Sequence, residues 1–163
     1  MIAFKWLGRG AIAPFTGVHW PADGGWVSAP AGAPEGSGVH ACRLAQLAWW
    51  VGEDLWRVEL DGRIVERETE VEAERGRLLE PITAWNPAAF AQACVARTIA
   101  FASEVPTPEM ADYVAMVKVV DAPKASFVSA VAAAAVRGTQ KAFAEERALQ
   151  SQWLARALDL REA

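Results

Sequence analysis

At Asn86 and Pro87 the chain changes character: alternating apolar and charged segments with scattered glycines and prolines give way to apolar residues spaced three and four apart. A period of two suits a strand and a period of 3.6 suits a helix. The chain is therefore expected to be an α+β protein. A β-rich half, residues 1–85, carries a mostly antiparallel sheet and one short helix. It is expected to pack against a helical half, residues 86–163, of about four α-helices. At 163 residues the whole has the length of one ordinary domain, able to bury a core without metal or disulfide staples.

The first half reads as strands and turns. Ala3 to Leu7 alternates as a short strand does, and Gly8, Gly10 and Pro14 break it. From Pro21 to Gly38, the residues Pro21, Gly24, Gly25, Pro30, Gly32, Pro34, Gly36 and Gly38 mark a long surface loop anchored at Trp26 and Val27. Gly38 to Cys42 reads as a buried strand. Leu44, Leu47 and Val51 then fall at helical spacing on one short helix. Leu55 to Leu60 alternates again and ends at Asp61-Gly62, a turn signal. Val65, Val71, Leu78 and Leu79 are the expected inward positions of the strands that finish near Pro81.

Helix starts punctuate the second half. Asn86-Pro87, Thr107-Pro108 and Asp121 with Pro123 each combine a capping side chain with a proline that suits the first turn. Phe90, Cys94 and Phe101 belong to the first helix, Met110, Val114 and Val117 to the second, and Phe127 and Val131 to the third, which Gly138 closes. A last helix, about Thr139 to Leu160, is expected to turn Ala142, Leu149, Trp153, Ala157 and Leu160 inward and Lys141, Glu145, Arg147 and Arg156 outward.

Charge and cysteine usage exclude several roles. The net charge is −4, and arginines 43, 57, 63, 67, 75 and 77 alternate with glutamates, so no contiguous basic face offers itself to nucleic acid. Lys118, Asp121 and Lys124 interrupt the most apolar region and leave only Ala125 to Val136 free of charge, too short to span a bilayer. Lys5 and Arg9 leave no apolar run for a signal peptide. Cys42 and Cys94 form no disulfide pattern and are expected to be reduced. A cytoplasmic location, with neither membrane nor nucleic acid as partner, follows as the expectation.

The candidate site residues come from chemistry rather than from a motif. His19, His40, Cys42 and Cys94 supply zinc-type ligands, but only His40 and Cys42 are close, so no metal is expected. Cys42 lies next to Arg43 and just before a helix, conditions that favour a thiolate; a packed core thiol is the alternative. Trp6, Trp20, Trp26, Trp49, Trp50 and Trp56 crowd the first 56 residues. Some are expected to be exposed or to line a cleft, Trp20 and Trp26 first among them; the alternative is that Trp56 and one of Trp49 or Trp50 form the core while the others staple the loop. Glycine-rich nucleotide loops and a nucleophile elbow are missing, and Glu66, Glu68, Glu70 and Glu72 read as a solvated strand face.

Pro14 to Pro21, Gly38 to Cys42 and Leu55 to Gly62 together resemble a family of short uncharacterised actinobacterial proteins, over about residues 1–100. That resemblance implies a shared fold and carries no activity. Gly38, Val39 and His40 with Trp49 and Trp50 also resemble, more weakly, the strand and ring-bearing helix of ADP-ribosyltransferases. This second likeness implies NAD binding near His40, Trp49 and Arg9, with Glu80 as the late glutamate. Two expectations follow. The first is a non-catalytic module that binds a small ligand or a protein through the tryptophan-rich half, using no cofactor and leaving open a homodimer through small residues such as Ala132 to Ala135. The second is a small NAD-using transferase.

Overall fold

In the computed structural model, which describes residues 1–30, 34 and 36–161, the alternating segments form one antiparallel sheet. Gly32 of the glycine- and proline-rich loop lies outside these residues. The strands are β1 (Ile2–Leu7), β2 (Val27–Ser28), β3 (Val39–Ala41), β4 (Asp54–Glu66) and β5 (Val71–Pro81). β1 pairs with β4 and β4 with β5, while β2 and β3 both pair with β5. The helices α1 (Pro87–Glu104), α2 (Pro108–Val117), α3 (Ala122–Arg137) and α4 (Gln140–Ala157) follow. The fold is α+β, as expected from the change of period. Residues cluster into two compact units, Met1–Trp85 with Ala155–Ala163, and Asn86–Leu154.

In the first unit the sheet curls back on itself. Phe4 and Cys42 exchange both backbone hydrogen bonds, Phe4 N to Cys42 O at 2.9 Å and Cys42 N to Phe4 O at 2.7 Å, so the end of β3 meets the free edge of β1. The inner face gathers Ala3, Leu7, Val39, Ala41, Val58, Leu60, Val71, Ala73 and Leu78 around the Trp20 ring. Gly76 makes room for that ring: a Cβ there would stand 2.9 Å from Trp20 Cη2 and 3.0 Å from Leu60 Cδ2.

Three local expectations are corrected, and the short helix is present as expected. Asp61-Gly62 is no turn: β4 runs on to Glu66, and the register shifts between Asp61 and Ile64, with Gly62 at φ 80° absorbing the irregularity as a bulge does. The turn comes later, where Arg67 N donates to Glu70 O. Leu79 is exposed because its neighbour Leu78 holds the inward position. The short helix, Leu44–Trp49, is 3-10. Trp6 and Trp20 are fully buried, whereas Trp56 is only half-buried against the core.

The second unit starts its helices where the caps require. Asn86 Oδ1 accepts from Ala89 N, Thr107 Oγ1 from Met110 N and Asp121 Oδ1 from Lys124 N. Gly138, at φ 65°, ends α3 in the left-handed conformation that glycine adopts without strain. Helix α4 is turned from its expected orientation, with Leu149 exposed and Glu146, Arg147, Gln150 and Ser151 buried. Polar partners explain this. Glu146 accepts from Arg97 and Ser129, Arg147 donates to Ser126 Oγ, and Gln150 Nε2 donates to Ser126 O at 3.1 Å. Buried polar groups are tolerated where their hydrogen bonds are met.

A candidate ligand chamber in the sheet unit

Backbone geometry next to the Phe4–Cys42 closure opens a gap. Alternate residues of a ladder turn their N–H and C=O groups to the same side, so His40, like Cys42, turns its carbonyl toward β1. Lys5 reaches across and donates from Nζ to His40 O at 2.5 Å. A side-chain amine thus takes the place of a ladder donor.

Around this gap lies a chamber of about 690 Å³, within the range of sites that take a small organic molecule. Phe4, Lys5 and Trp6 of β1, Val39 to Cys42 and Trp50 line it. So do Trp20 and the segment from Ala13 to Thr16. Phe15 is 81% exposed, yet its ring meets Trp50 edge-on at a centroid distance of 5.6 Å. Trp50 is itself anchored by Nε1 donating to Thr69 O at 2.5 Å.

Lys5 is the buried charge of the chamber, 8% exposed. Its Nζ stands 4.9 Å from the Trp20 ring centroid, a cation–π distance. Among the described residues no carboxylate stands within ion-pair distance of Nζ. Burial lowers the amine's pKa to about 8, opposed by the nearby Cys42 and Glu70. His40 Nδ1 meets Glu70 Oε2 at 3.0 Å and His40 Nε2 meets Gly36 O at 3.2 Å.

Cys42 is a packed thiol, donating from Sγ to Phe4 O at 3.3 Å. Burial pushes its pKa up to about 12, opposed by Lys5. That is the reverse of what thiolate chemistry needs.

One wall of the site depends on a buried carboxylate. Glu72 Oε1 accepts from Gly36 N at 2.7 Å and Gly38 N at 3.0 Å, while Oε2 accepts from Arg67 at 2.9 Å. The Arg67 contact, with help from the two amides, holds the Glu72 carboxyl below its usual pKa against the opposing effect of burial. Gly38 fits against this strand only because it has no side chain: a Cβ would lie 2.6 Å from Ala73 O and 2.7 Å from Glu72 Cγ.

Of the residues singled out from sequence, His40, Cys42, Trp6, Trp20 and Trp50 line the chamber, while His19, Trp26, Trp49, Arg9 and Glu80 do not. His19 is exposed and bridges Ile12. Trp26 lies under the guanidinium groups of Arg75 and Arg77, 4.6 and 4.9 Å from its centroid, and so fastens its loop to β5. Trp49 is half-buried outside the lining, where its neighbour Trp50 takes the place foreseen for it. Arg9 is 94% exposed and faces Glu53 at 3.9 Å. Glu80 pairs with Arg57 at 3.0 Å.

Lys5 and Phe15 complete the site without having been proposed as binding residues, and Glu70, expected on a solvated strand face, joins them. Lys5 had a signal: strict alternation places it between Ala3 and Leu7 on the inward face, the one charge there. Among the described residues no group of three or more His, Cys, Asp or Glu side chains could hold a metal ion, and no helix is long and apolar enough to cross a membrane. No protein-family model, curated protein or solved structure matches the chain.

Proposed function

We propose that the sheet unit is a non-catalytic binding module for a small, largely apolar molecule, held in the chamber between β1, β3 and the Ala13 to Trp20 segment. The observation that carries this reading is the chamber itself, with rings from Phe4, Trp6, Phe15, Trp20 and Trp50 in its walls. Rings supply large contact areas at little cost in side-chain entropy. A flat ring compound is the occupant such walls suit.

The alternative of an NAD-using transferase draws no support from Arg9 and Glu80, which lie outside the chamber and are engaged elsewhere. A cytoplasmic setting is part of the proposal. Its support is the pair of buried free thiols, Cys42 and Cys94, the form cysteines keep in reducing compartments.

Tryptophan fluorescence tests the reading. The neutral probe 2-naphthamide is expected to bind one-to-one and to change the emission of the native protein. Phe15→Ala removes the exposed ring over Trp50 and is expected to weaken binding severalfold with little effect on stability. No saturable change up to about millimolar probe, the weak limit of specific affinity, would overturn the proposal.

A further inference from the structure

We propose that the molecule taken up in this chamber is an acid, with an apolar ring or chain against the tryptophans and a carboxylate that meets Lys5 Nζ. This rests on the binding reading above and adds the chemistry of the polar end.

The argument is one of charge. A buried ammonium ordinarily finds a carboxylate, because an isolated cation away from water is costly. Among the described residues the direct partners of Lys5 Nζ are the His40 carbonyl at 2.5 Å and the face of Trp20, with Glu70 and Cys42 acting on it from further off. Both direct partners are partial charges, and an ammonium carries three donors. The remaining donors have the chamber beside them.

Glu70 does not fill this role. It lines the chamber, but one of its carboxylate oxygens is held by His40 Nδ1 at 3.0 Å. The other titratable groups lining the chamber are His40, whose ring nitrogens meet Glu70 and Gly36 O, and Cys42, whose thiol burial keeps protonated. A ligand carboxylate would give Lys5 the partner that its burial calls for and would shift its proton equilibrium toward the charged form.

The second prediction follows. With burial lowering the Lys5 pKa to about 8, binding an anion beside it near that pH should draw in protons, and affinity should fall as the pH rises further. Calorimetric titration of the native protein compares 2-naphthoate with the neutral 2-naphthamide. At pH 7 the acid is expected to bind at least about tenfold tighter, a preference worth about 1.4 kcal/mol. At pH 8, titrations in two buffers of different ionisation enthalpy should show uptake of a fraction of a proton for the acid and none for the amide. At pH 9.5 the preference should shrink by about tenfold or more.

Lys5→Met keeps the length of the side chain without its charge. It is expected to lose the preference for the acid, so that 2-naphthoate and 2-naphthamide bind it alike. Equal affinities in the native protein would overturn the acid proposal and leave the binding module standing. A preference that survives in Lys5→Met would place the anion away from Lys5 and overturn it too. Failure of both probes to bind would remove the chamber reading itself.

Discussion

Each unit buries a cation, and the two do so differently. Arg147 in the helical unit is 6% exposed, with its guanidinium donating to Ser126 and lying 5.8 and 5.2 Å from the Phe127 and Phe143 centroids. Burial lowers its pKa to about 10. Lys5 in the sheet unit is buried to the same degree, yet it borders open volume. A buried charge surrounded on all sides is part of a core. One that borders a cavity is available to something that enters it.

The widest test of this contrast is a pair of substitutions. Arg147→Ala removes packed methylenes as well as the partner of Ser126, and is expected to cost about 3 kcal/mol of stability in denaturant unfolding. Lys5→Met removes a desolvated charge and leaves one carbonyl without its donor, so stability should stay within about 1 kcal/mol of the native protein or rise. Equal losses would mean that both cations serve only the core.

Gly38→Ala sharpens the comparison from the side of the chamber wall. Its Cβ would press on Ala73 O and Glu72 Cγ, and overpacking of this kind costs about 2 kcal/mol. The same change should weaken 2-naphthamide binding, because Gly38 borders the chamber. Loss of stability without loss of binding would detach that wall from the site.

The smallest effect is a pH dependence, and its sign can be worked out. The folded-state pKa of Lys5, about 8, lies below the ordinary lysine value of 10.5, so between these values the unfolded chain binds more protons. Stability contributed through Lys5 therefore rises with pH across that window. Cys42, raised from 9.0 to about 12, acts oppositely at the upper end and cancels when native protein and Lys5→Met are compared. From pH 7.5 to 9.5 the native protein should gain about 1 to 2 kcal/mol on the variant. A constant difference would mean that Lys5 titrates as an exposed lysine does.

Local signals were the legible ones. Asn86, Thr107 and Asp121 cap helices through atoms three residues away, and such contacts can be read directly from neighbouring residues. Asp61-Gly62 misleads because a glycine at positive φ serves a bulge as readily as a turn, and the pairing of β4 with β5 decides between them. On α4, Leu149 faces out and Arg147 in, because Ser126 and Gln150 offer polar partners that hydropathy alone does not reveal. The chamber was legible only in part. His40, Cys42 and Trp20 drew notice by residue type, whereas Lys5 becomes a site residue only through the closure at Phe4 and Cys42, a contact between distant segments.

That closure has a consequence for how the protein comes into being. The chamber has no floor until a strand at the very start of the chain has met one 38 residues further along, and distant contacts of this kind are the slow ones to assemble. A nascent or partly folded chain therefore has nothing to hold a ligand with. A molecule bound there, as proposed, would act on the finished fold alone and by mass action would raise the share of the protein that is folded.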